Sequence, residues 1–157
     1  MKILEKGSLK LINAWAFYDW ANSVYSLVIA TAVFPIYYES VTNENGGMVD
    51  FLGTSILNSS LLSYSLSFSF LIVALLSPIL SGIADYTGNK KRFMQFFCYL
   101  GSLSVMCMFF FKDQDTLWIG IISTILASIG FWGSVVFYNS YLPEIAFQEQ
   151  YDRVSAK

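Results

Sequence analysis

No histidine occurs among the 157 residues. Its absence removes imidazole bases, histidine metal sites, histidine proton relays and any Ser-His-Asp triad. Charge is scarce as well. Asp, Glu, Lys and Arg make up 13% of the chain, about half the ~25% of an ordinary soluble domain. The net charge of −2 leaves no cationic surface to hold phosphates, so no nucleic-acid partner is expected. Cys98 and Cys107 are the two cysteines and lie nine positions apart in one apolar segment. That spacing rules out a disulfide within a helix, and both read as small apolar residues. Period-two alternation is missing, so strands are not expected. The apolar segments hold no spaced acid pair and no metal-ligand cluster. No metal, cofactor or catalytic residue is assigned, and the chain is not read as an enzyme.

Apolar residues fill the space left by charge. They make up 55% of the chain, aromatics 18%, and the mean hydropathy is +0.55. A spanning helix needs roughly 20 mostly apolar residues. Four segments qualify: 17–38 (with a possible helical lead-in from Leu11), 61–84, 93–111 and 117–141. The expected fold is all-α, a polytopic membrane bundle of four transmembrane helices in one domain. The connectors are 39–59, 85–92 and 112–116. Only the first is long, and its Asn45-Gly46-Gly47 is a turn signal. No repeat relates the four segments. A signal peptide is the other reading of the first segment, given Lys2, Lys6, Lys10 and the small-residue run Ala30-Thr31-Ala32. Asp19, Asn22 and the bulky aromatics that interrupt it favour a retained helix.

Four spans place both termini and the second connector on one side. That side carries Lys2, Lys6, Lys10, Lys90, Lys91, Arg92, Arg153 and Lys157; the other carries only Lys112, with Glu39, Glu44, Asp50, Asp113 and Asp115. The positive-inside rule then makes both termini cytoplasmic. Asn58-Ser59-Ser60 has the form of a glycosylation sequon but abuts the second span and reads as a chance match.

Helical projection gives each span a face. On the second, Ser63, Ser67, Ala74, Ser77 and Ser81 fall within about 40° of one meridian. On the fourth, Gly120, Ser123, Ala127, Gly130, Ser134, Tyr138 and Tyr141 do the same. Such stripes let membrane helices approach closely, so both are expected to pack; Tyr138 and Tyr141 could also line a cavity. Pro78 should kink the second span. On the first, Tyr18, Asp19, Asn22, Tyr25 and Ser26 share an arc opposite Trp20, Val24, Leu27 and Val28. A carboxylate within the hydrocarbon is costly and faces protein or water. A helix start at Leu11 would bury Asp19, whereas a start at Phe17 would leave it at the interface. Both starts stay open.

The most informative stretch is Gly82-Ile83-Ala84-Asp85-Tyr86-Thr87-Gly88-Asn89-Lys90-Lys91-Arg92. Gly82 would allow close packing, and Gly88 a positive φ in a tight turn. Asp85 could accept from the first N–H groups of the next helix or bond a neighbouring helix. The three cations would anchor the turn to the cytoplasmic leaflet. The pattern resembles the signature between the second and third helices of major facilitator superfamily transporters. Two further stretches are similar to the vacuole-effluxer-like branch, whose yeast members export amino acids from the vacuole. They are Trp15-Ala16-Phe17-Tyr18-Asp19-Trp20-Ala21-Asn22-Ser23 with Phe34-Pro35-Ile36-Tyr37, and Phe137-Tyr138-Asn139-Ser140-Tyr141-Leu142-Pro143-Glu144-Ile145 with Arg153-Val154-Ser155.

The resemblance implies a secondary-active solute transporter, with amino acids or similar small solutes as cargo. Its cytoplasmic gating turn would comprise Gly82, Asp85, Gly88, Lys90, Lys91 and Arg92. Its translocation path would include Tyr18, Asp19, Asn22, Tyr25, Tyr138, Asn139 and Tyr141. Asp85 would bridge the turn to a neighbouring helix end, with Lys90 less critical. Complete members have two six-helix halves, so four spans read as an amino-terminal fragment. The expected setting is a bacterial cytoplasmic (inner) membrane. The expected partners are the lipid bilayer, a small-molecule solute and the missing carboxy-terminal helices. The alternative is a complete small four-helix membrane protein acting as a dimeric exporter or assembly subunit.

Overall fold

The computed structural model describes residues 5–43 and 46–156. Lys2, Lys157, Glu44 and Asn45, which enter the charge count and the turn signal, lie outside the described residues. Among the described residues the chain is mostly helical and has four helices long and apolar enough to cross a membrane.

The first runs unbroken from residue 9 to 42 in three stretches: α1 (Leu9–Val24), a π-helical segment (Tyr25–Val33) and α2 (Phe34–Thr42). Ser8 caps its start, its hydroxyl accepting from Leu11 N at 3.4 Å. The π segment closes with Phe34 N–H donating to Ile29 O, and Pro35 follows at once. Lacking an N–H, Pro35 cannot donate to the preceding turn. Thr31 Oγ1 meanwhile bonds Leu27 O at 2.6 Å. The helix starts at Leu9, which puts Asp19 ten residues along it at an exposed position.

The second helix, α3 (Asn58–Thr87), contains Pro78 and ends at Gly88, φ +65°, in the left-handed conformation that favours glycine. α4 (Lys90–Cys107) follows after two residues, Gly88 and Asn89. α5 (Leu117–Ser140) forms the centre: half of its apolar stretch is buried, against about a tenth or less for the other three. The short helices α6 (Leu142–Ile145) and α7 (Tyr151–Ser155) complete the described chain.

The small-residue stripe of α5 packs inward, as its period implies. Gly120, Ser123, Ala127, Gly130, Ser134 and Tyr138 are all buried. At Gly130 the backbone of α5 lies directly against that of α4 at Gly101. The α3 stripe is a correction. Ser63, Ser67 and Ala74 are exposed, and α3 packs instead through Leu61, Ser65 and Ser69. Ser69 Oγ reaches Ile125 O on α5 at 3.3 Å. Both serine rows repeat at helical spacing, and the row bearing Leu61 is the one in contact.

Strands are also present against expectation. β1 (Met48–Phe51) pairs antiparallel with β2 (Thr54–Leu57) around Leu52-Gly53, both at positive φ, as a two-residue hairpin demands. Val49 is buried against Phe34, Tyr38, Leu61, Phe111 and Leu117. Beneath it lies a closed polar network. Tyr38 OH donates to Asn58 O at 3.0 Å, Asn58 Nδ2 to Thr42 Oγ1 at 2.9 Å, and Thr42 Oγ1 to Tyr38 O at 2.7 Å. Asn58 is thus buried with its amide in use, which removes the sequon from reach.

Candidate functional site

Of the polar arc of the first helix, Tyr18, Asn22, Tyr25 and Ser26 are half-buried, while Asp19 is exposed, as are Trp20, Val24 and Leu27 opposite. Tyr18, Asn22 and Tyr25 line a cavity of about 470 Å³ between α1, α4 and α5, facing Cys98, Ser102 and Phe131. The Tyr25 hydroxyl meets Ser128 Oγ at 2.8 Å. The Tyr18 hydroxyl is buried beside Ser134 and Cys98, yet makes no well-formed hydrogen bond among the described residues. It is a buried polar group with bonding capacity to spare.

Asp19 does not share that cavity. It opens onto a second one, about 580 Å³, with Trp15, Ser23, Tyr138 and Asn139. Stacked aromatics stand between the two. Trp15 lies 4.3 Å from Tyr138, nearly parallel, and donates from Nε1 to Tyr138 O at 3.1 Å. Tyr18 stacks on Tyr138 at 5.5 Å. Tyr141 lines neither cavity: it packs with Ile12, Ile145 and Val154 where the start of the first helix meets the segment after α5. Gly7 N–H donates to Ile145 O there at 2.7 Å. The seven residues grouped by resemblance therefore divide into a cavity set, a second-cavity set and one packing residue.

The turn between α3 and α4 stands at that same end of the bundle. Lys90 Nζ lies 2.7 Å from Asp85 Oδ1 and 2.8 Å from Glu144 Oε1. Its side chain is largely covered, 17% exposed, whereas both carboxylates are half exposed or more. Two expectations fail here. Asp85 accepts from none of the N–H groups of α4, whose N-cap Asn89 has no side-chain cap, and it meets α4 through the Lys90 ammonium without itself contacting α6. Lys90 makes the bridge, tying the turn to α6 through Glu144, a residue to which the sequence reading gave no role. Gly82 is not a packing contact either, since a Cβ there would meet nothing within 4 Å. Lys91 and Arg92 are exposed and without a carboxylate partner among the described residues.

The family described as "Vacuole effluxer Atg22 like" matches residues 7–156. The chain belongs to this family. It is 39% identical over 145 residues to the Uncharacterized MFS-type transporter YxiO of Bacillus subtilis, covering 92% of this chain and 32% of the relative. It is 30% identical to Autophagy-related protein 22 of Chaetomium globosum and 28% to that of Pyricularia oryzae, covering 87% of this chain and 24% of each relative. The Atg22-like chain thus spans about a quarter to a third of the length of these relatives. No solved structure matches it. Long apolar helices and transporter relatives make this Atg22-like chain an integral membrane protein.

Proposed function

We propose that this chain is the amino-terminal transmembrane part of a secondary-active transporter of the major facilitator type that exports amino acids or similar small solutes. The match to the effluxer family over nearly the whole chain carries this reading. The limited coverage of the longer relatives supports a part rather than a whole. Both termini face the cytoplasm, with the basic turn, in a bacterial cytoplasmic membrane. Tyr18, Asn22 and Tyr25 offer a passing solute hydroxyl and amide partners on the wall of a largely apolar cavity. The Asp85–Lys90–Glu144 cluster acts as a latch at the cytoplasmic end. Made in one transport state and broken in the other, it biases the equilibrium between them.

Alternating access requires two repeats rocking about a shared site. The chain alone, reconstituted in liposomes, is therefore expected to give no saturable uptake of amino acids, while a full-length protein containing these helices does. Saturable flux through the chain alone would overturn the reading in favour of a small self-sufficient exporter.

A further inference from the structure

We propose that the outer groove between α3 and α4 binds a single anionic phospholipid, its tail along the groove and its phosphate on Arg92. The groove has a volume of about 740 Å³ and is walled by Leu76, Leu80 and Ile83 of α3 and by Phe93 and Phe96 of α4. Its one charged lining residue is Arg92, at the end where Thr87 and Asn89 also border it. From Ile72 to Ile83 the α3 wall runs about 17 Å at 1.5 Å per residue. One leaflet of hydrocarbon is about 15 Å deep, so the groove matches a single acyl chain in length. The charge is matched as well. Lys90 is taken up by Asp85 and Glu144, which leaves Arg92, at the groove end, without a carboxylate partner among the described residues. Arg92 supplies a planar, forked donor suited to phosphate, and the Asn89 amide is a second donor beside it. The occupant is thus an amphiphile with an anionic head and an apolar tail one leaflet long.

The test is native mass spectrometry of the detergent-solubilised chain, titrated with phosphatidylglycerol or phosphatidylcholine bearing identical tails. Phosphatidylglycerol is expected to be retained at least fivefold more tightly, at one molecule per chain. Arg92→Gln should remove about fivefold of that preference, the equivalent of ~1 kcal/mol per basic residue at an anionic surface. Leu80→Trp, which fills the groove, should lower retention of both lipids. Ile122→Trp, exposed on α5 and outside the groove, should change neither. Circular dichroism on each variant checks that the helices are intact, and glycerol phosphate, a head without tails, should not compete. Equal retention of both lipids, or no response to Arg92→Gln and Leu80→Trp in folded protein, overturns the proposal. So does a chain dimer that Leu80→Trp dissociates, since a second copy would then fill the groove.

Discussion

Gly130 tests how α4 and α5 are joined. An alanine Cβ there would lie 2.5 Å from Gly101 Cα and 2.8 Å from Phe97 O, where ordinary contact begins at 3.4 Å. These are backbone atoms of a helix, so no side chain can swing aside, and the two helices must part by about 1 Å. A gap of that size forfeits roughly a quarter to a half of the dispersion energy across the opened contact. Overpacking of this kind costs about 1–3 kcal/mol. The other side of the contact behaves differently. A Cβ at Gly101 would sit 3.5 Å from the Gly130 backbone, at ordinary distance. Gly101→Ala thus meets no clash and gains helix propensity, as does Gly82→Ala in open space, by up to ~1 kcal/mol each. Thermal unfolding of the solubilised chain, followed by the fraction still monodisperse on size exclusion, should rank Gly82→Ala and Gly101→Ala at or above wild type. Gly130→Ala should fall roughly 2–12 °C below it. Equal losses at Gly101 and Gly130, or none at Gly130, would mean that the helices do not meet backbone to backbone.

Three further outcomes are expected. In a full-length protein containing these helices, Lys90→Gln should slow transport at least as much as Asp85→Asn, because it breaks both ion pairs; a Lys90 variant at wild-type rate would remove the latch. Tyr38→Phe removes a buried hydrogen bond to the Asn58 carbonyl, which keeps its place in the α3 ladder, and should cost about 0.5–1.5 kcal/mol in thermal unfolding, whereas Tyr64→Phe, at an exposed residue, should cost almost nothing. In a cysteine-free background, an impermeant thiol reagent should label Thr54→Cys in intact cells but not Asn89→Cys; the reverse pattern would invert the topology.

The helices were legible because length and hydropathy alone single out runs able to cross a membrane. The α5 packing face was legible because glycine, serine and alanine recur there at one helical phase. The α3 face was not, since Ser63–Ser67 and Ser65–Ser69 carry the same period and only tertiary contact separates them. The hairpin escaped because its strands are four residues each, too short to show alternation. In the turn, adjacent cations at 90, 91 and 92 look alike in sequence. What distinguishes Lys90 is position: the left-handed Gly88 sets the direction in which α4 starts, and Lys90 opens it between two carboxylates. Glu144, 54 residues away from Lys90, gave no local sign of partnership.

The wide turns of the first helix have a consequence for how its sequence is read. Inward residues follow the ordinary spacing through Asn22, Tyr25 and Ile29, then step by five to Phe34 and resume at Tyr38 and Thr42. The π segment therefore holds one surplus residue, and everything beyond it is out of phase with a projection drawn from the helix start. In effect the helix contains an insertion it has absorbed without a bulged loop. Removing one residue within 25–33 would let the segment tighten to α geometry with both inward faces kept, shortening the span by a single step. Chains with and without that residue could present the same interior faces while differing in length by one, so counting residues along this helix is a poor guide to which side chains correspond.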